Sequence, residues 1–128
     1  MKSREVSKTS GFTLIEIIAV LLILAVLAAV AIPRYLNMVA QAEARAFEGA
    51  LAAGYSHLSL IYARQALTTG TPPTAGELVT AAGGANAPAG DYTYVFGSAD
   101  GGAAVSVTVS KTGTDTTLDG SWPLPHTN

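Results

Sequence analysis

The sequence predicts an α+β fold: a long N-terminal helix, one half membrane-type and one half amphipathic, packed on a small antiparallel β-sheet. Three observations carry this. The twenty-one residues from Phe12 to Ile32 are apolar except for Thr13 and Glu16. Phe47, Leu51, Gly54, Leu58 and Ile61 recur at spacings of 4, 3, 4 and 3, one face of a helix. "DYTYVF" (91–96) and "AVSVTVS" (104–110) alternate apolar and polar residues, as half-buried strands do.

At about 1.5 Å per residue the apolar run spans roughly 30 Å, the thickness of a bilayer's hydrocarbon core. A helix apolar on every side needs lipid or a large protein core around it. The remaining chain is too short and too rich in Gly and Ala to supply the core. Charge is divided to match. Ahead of Gly11, Lys2, Arg4 and Lys8 face one acid, Glu5, for a net +2; beyond it four basic residues face eight acidic ones. A basic leader before an apolar run stays cytoplasmic and the rest lies outside. The acidic remainder argues against nucleic-acid binding, which needs clustered Lys or Arg. Cysteine is absent, so disulfides, thiol catalysis and cysteine-held zinc are excluded.

Three fates for the apolar run follow. An ordinary export signal would be cut at the A-x-A-like Ala29-Val30-Ala31, releasing a secreted soluble binding domain. Against this, Ile17–Ile32 is long for such a core and Glu16 fits poorly inside it. Alternatively, the run is a permanent single-pass anchor. In the third fate, cleavage falls before the run, after Gly11, leaving Phe12 as a new N-terminus.

"GFTLIE" followed by a long apolar helix and "AIPRY" resembles the type IV pilin and pseudopilin family, strongly over Ser10–Met38 and loosely in the last sixty residues. The resemblance implies a basic prepilin leader (1–11) removed by a prepilin peptidase and methyltransferase, with Phe12 N-methylated. It also implies a transmembrane and filament-core helix (12–32), its amphipathic continuation (33–69) and a small head (70–128). The protein would sit in the inner membrane, in contact with lipid, until pilus or secretion machinery extracts it into a helical homo-oligomer. That polymer would be an extracellular pilus or a periplasmic pseudopilus. The family's cysteine-closed C-terminal loop has no counterpart here. Where the family often carries a mid-helix glycine, this chain has Leu24-Ala25-Val26.

In the family, the carboxylate matching Glu16 pairs with the N-terminal amine of a neighbouring subunit. Physical reasoning agrees. Phe12 and Glu16 lie at i and i+4, and an acid is favoured near a helix N-terminus. Neither effect cancels the desolvation of a carboxylate in lipid, about 2.5–3.5 kcal/mol at mid-helix. An acid and an amine buried among apolar helices fix register as buried polar groups do in coiled coils. Thr13 receives no role in this reading.

Pro33 removes one helix hydrogen bond and is expected to kink the helix or mark its exit from lipid. Gly70 is expected to end the helix, and Thr74-Ala75-Gly76-Glu77 to open a short one to about Ala82 through a capping box. "GGANAPAG" (83–90) reads as a loop, and "GSADGG" (97–102) as the turn of a hairpin. "KTGTDTTLDG" (111–120) reads as a polar turn region, and "SWPLPHTN" (121–128) as a tail whose Trp122 covers the sheet edge. His57 and His126 lack any second ligand or nucleophile at a meaningful spacing. Asp115 and Asp119, flanked by Gly113 and Gly120, are the weak calcium alternative but fit no calcium-loop pattern, so they read as solvated turn residues. No catalytic residue and no cofactor is expected.

Overall fold

A computed structural model describes residues 11–125, apart from the side chains of Ala85 and Asn86. The fold is α+β, with a long helix and a four-stranded antiparallel sheet in the order β1-β2-β3-β4. Helix α1 runs over Leu14–Thr69 and α2 over Ala75–Ala81. The strands are β1 (Ala85–Ala89), β2 (Tyr92–Ala99), β3 (Ala104–Lys111) and β4 (Thr117–Pro123). The chain divides into two units, Met1–Gln41 and Ala42–Asn128.

In the first unit the described residues are exposed, and α1 is long and apolar enough to cross a membrane. Side chains from Leu14 to Val39 that would form a soluble protein's interior have no protein to cover them. Lipid or other apolar helices are the environments in which such a surface is stable. Pro33 lies within α1, whose helical assignment runs on through it.

The second unit holds the hydrophobic core. On α1, Phe47, Ala50, Gly54 and Leu58 are buried, while Leu51 and Ile61 are half-buried against them. The sheet answers with Tyr94 and Phe96 from β2 and with Val105, Val107 and Val109 from β3, the last three fully buried. The 3.6-residue face of the helix therefore meets the two-residue alternation of the strands. Gly54 is where they meet most closely: a Cβ there would stand 3.1 Å from Tyr94 Cε1 and 3.2 Å from Val107 Cγ1. The Tyr94 hydroxyl donates to the Ala50 carbonyl at 2.9 Å, and burial, with the Tyr92 phenol adding to it, pushes its pKa up. A small ion pair, Lys111 to Glu43 at 3.2 Å, ties the end of β3 to α1 at the surface.

Both helix boundaries after the long helix fall where local chemistry puts them. Gly70, at φ +72°, donates to the Ala66 carbonyl and ends α1. Thr74 caps α2: its N–H donates to Glu77 Oε2 at 2.7 Å, and the Glu77 N–H donates to the threonine hydroxyl. Hydrogen bonds from the Thr74 N–H and then its hydroxyl lower the Glu77 pKa. Since the folded pKa is depressed, this contribution is present above the unfolded glutamate pKa and is lost as pH falls through the folded one. Glu77→Gln is expected to flatten the acid limb of the pH–stability curve there, read by thermal melts across that range. An unchanged limb would show that the carboxylate is not held in solution.

Three segments differ from the sequence expectation. "GGANAPAG" is not a loop throughout, because Ala85–Ala89 pairs with β2, Ala87 opposite Tyr94 and Pro88 opposite Thr93. The Phe96 N–H also donates to the Gly84 carbonyl at 3.1 Å. Residues of low strand propensity are drawn in by a partner strand, and Pro88 is tolerated because β1 is an edge. The second half of "KTGTDTTLDG" is likewise no turn. With Ser121-Trp122-Pro123 from the supposed tail it forms β4, registered Ser110↔Thr117 through Ala104↔Pro123. Trp122 thus lies within the edge strand, its ring 5.9 Å from that of Tyr62. Finally, the expected Asp-Gly hairpin turn does join β2 to β3 but is shorter than "GSADGG": Gly97–Ala99 belong to β2, and the turn is a 3-10 turn over Asp100–Gly102 in which all three residues have positive φ. Two glycines make this conformation accessible.

Candidate functional site at the helix start

Gly11, Phe12 and Thr13 precede α1 in non-helical conformation, with Phe12 86% exposed. The helix begins immediately after, and Ile17 N–H donates to the Thr13 carbonyl at 3.3 Å.

Glu16 lies in the first turn of α1, as its spacing requires, and its partner is Thr13. The Thr13 N–H and hydroxyl each donate to Glu16 Oε2 at 2.7 Å, and the Glu16 N–H donates to the Thr13 hydroxyl oxygen at 3.3 Å. The arrangement repeats that of Thr74 and Glu77. It is a capping box, in which a carboxylate satisfies a helix-start N–H that has no other acceptor. Thr13 is therefore the residue that sequence reasoning passed over, although its T-x-x-E spacing is the same signal that located α2. Among the described residues Glu16 Oε1 has no hydrogen-bond partner. One carboxylate oxygen is thus held within the chain and the other is open to a donor from outside.

The remaining candidates lie elsewhere. His57 is exposed on α1, its ring 6.3 Å from that of Phe96. His126 lies outside the described residues. Asp119, on β4, accepts the Thr108 hydroxyl at 2.6 Å, whereas Asp115 lies in the exposed segment before that strand. Among the described residues no three His, Cys, Asp or Glu converge on a metal-sized site.

The described start of the chain thus combines an apolar helix, a single acid in its first turn and an exposed Gly-Phe pair ahead of it. The family model for the prokaryotic N-terminal methylation motif matches residues 6–32. This is the prepilin-type motif found in type IV pilins and pseudopilins, and it implies processing by a prepilin peptidase. Comparison with curated proteins and with solved structures gives no match.

Proposed function

We propose that this protein is a structural subunit of a cell-surface helical filament. It is made as a precursor, cleaved after Gly11, methylated on the new Phe12 amine and polymerised through its N-terminal helix. Before assembly the leader is cytoplasmic, residues 12–32 cross the inner membrane and the head, 70–128, lies outside. The observation that carries this reading is Glu16: a lone acid in an uncovered apolar helix, half satisfied by Thr13 and with one oxygen open. A methylated amine retains its positive charge, so the Phe12 amine of a neighbouring subunit supplies the missing donor. Each such pair sets the axial register, while apolar burial between helices supplies most of the attraction.

A pseudopilin of a secretion system shares this chemistry. The pilus reading is favoured by the head, where Asp119 is engaged by Thr108 in a strand instead of being presented with Asp115 in a cation-binding loop.

Mass spectrometry of the mature N-terminus, from membrane and sheared-surface fractions of the producing cell, tests the proposal. The expected result is a chain beginning at Phe12 with one added methyl, present in the sheared fraction. Methylated protein confined to the membrane and periplasm would replace the pilus by the pseudopilus. A chain beginning at Ile32 would replace both by a secreted domain.

A further inference from the structure

The two edges of the sheet are unlike. At β1 the pairing with β2 shifts between Ala85 and Ala87, and Pro88 has no N–H to give, so that edge is blunted by an irregularity and a proline. At β4 the register against β3 runs from Ser110↔Thr117 to Ala104↔Pro123 without a shift, and the strand's one proline is its last residue. Among the described residues the backbone of Thr117–Trp122 bonds to nothing but β3. The outer side of β4 is therefore an open row of N–H and C=O groups that fits another strand.

The side chains of β4 say which strand. Thr117, Asp119, Ser121 and Pro123 are exposed, while Leu118, Gly120 and Trp122 are half-buried on the face toward α1. Gly120 lies against Tyr55 and Leu51 of α1, where a Cβ has no room. The sequence is symmetric in character about this glycine, with polar Asp119 and Ser121 one residue away and apolar Leu118 and Trp122 two residues away. An antiparallel copy of β4, laid with Gly120 opposite Gly120, sets Leu118 of each copy opposite Trp122 of the other. It also sets each Asp119 opposite a Ser121, a carboxylate beside a hydroxyl donor. Directly opposite Cβ atoms stand about 4.5–5.5 Å apart, so both half-exposed apolar side chains gain a partner to pack on.

Other registers lack this match. Centring on Asp119 brings two like charges face to face. Centring on Ser121 sets Trp122 against Gly120 and Leu118 against Leu124, which is already buried in its own head. Registers that change the pairing by an odd number of residues put core-facing side chains opposite solvent-facing ones. We infer that β4 is a self-pairing edge: two copies of the second unit join β4 to β4 about a two-fold axis at Gly120, making one sheet of both. A single strand pair is a small interface, which sets the dissociation constant on the order of 0.1–1 mM. A two-fold contact closes on itself and builds no filament, so it pairs free subunits or links one filament to another. The inference does not depend on filament assembly, and its test can fail without touching the proposed function.

The test is disulfide trapping, which is clean because the chain has no cysteine of its own. Asp119→Cys and Ser121→Cys are made as separate full chains in detergent, one of them ¹⁵N-labelled. They are mixed in equal amounts at about 0.5 mM, near the dissociation constant, and oxidised with copper phenanthroline. Opposite Cα atoms in an antiparallel pair, about 4.5–5.5 Å apart, fall within the reach of a disulfide, whereas diagonal neighbours at about 7–8 Å do not. The mixed dimer is therefore expected to exceed the two like dimers together at least about fivefold, where random collision gives equal amounts. In the unmodified chain the emission of Trp122, its single tryptophan, should move to shorter wavelength as concentration rises from about 0.01 to 1 mM and Leu118 of the second copy covers the ring. A mixed dimer no more abundant than the like dimers would overturn the inference, as would emission independent of concentration. Trapping of Ser121→Cys by Ala89→Cys on β1 with equal yield would also overturn it, replacing the two-fold pair with a head-to-tail sheet.

Discussion

Glu16→Leu is expected to leave the protein in the membrane fraction at its normal level while lowering its recovery in sheared filaments at least about tenfold. Removing an acid from an apolar helix favours insertion, by up to about 2.5–3.5 kcal/mol at mid-helix and less near an end. Insertion and assembly therefore move in opposite directions, and no general folding defect produces that pattern. Glu16→Gln separates the two jobs of the side chain. Glutamine can take the glutamate's place in a capping box with Thr13 but carries no charge for a neighbour's amine. If the amine pair sets register, Glu16→Gln loses filaments as Glu16→Leu does. Normal filaments from Glu16→Gln would sink the pairing proposal and leave Glu16 as a helix cap alone.

The second large effect is in the head. Leu58 is fully buried, among the largest such side chains in the protein, whereas Leu60, two residues along the same helix, is 68% exposed. Leu58→Ala is expected to destabilise the head by about 2–5 kcal/mol, because the lost transfer energy is joined by a cavity that the sheet cannot close. In a unit of this size that lowers the melting temperature by about 10 °C or more, readable through Trp122 fluorescence of the full chain in detergent. Leu60→Ala should shift stability by no more than about 0.5 kcal/mol. Comparable shifts from the two substitutions would mean that the helix presents a different face to the sheet in solution.

These two effects also separate what each half of the chain must do. The first unit presents an apolar surface that is unfavourable in water and suited to lipid or to other apolar helices. The second unit can bury its apolar residues within itself. Helix α1 contributes to both, an apolar surface in one and a striped one in the other. A substitution in either unit is therefore read by a different assay: recovery in filaments for the first, melting for the second.

Much of the architecture was legible because it is periodic or locally capped. The 4-3-4-3 stripe from Phe47 to Ile61 and the alternation in β2 and β3 encode burial in their spacing, and the structure buries those faces, while the apolar run is legible from length and composition and stands uncovered. Thr74 with Glu77, and Gly70, set helix ends through hydrogen bonds reaching only three or four residues. Thr13 is legible by the same rule, since its T-x-x-E spacing to Glu16 is that of Thr74 to Glu77.

The sequence by itself determined the helix, its apolar half, the processing motif at Gly11 and Phe12 and the placement of Glu16, all of which depend on neighbours along the chain. Only the tertiary structure decided that "ANAPA" and "TLDGSWP" are strands. Each is an edge strand of weak propensity, and each owes its state to a partner brought from elsewhere, β2 for the first and β3 for the second. The tertiary structure likewise brought Gln65 of α1 and Thr80 of α2 to one recess, since nothing in the spacing of α1 announces where α2 folds back upon it. Local hydrogen bonds and periodicity are written in consecutive residues; the pairing of edges and the walls of a cavity are properties of surfaces that exist only after the chain has closed on itself.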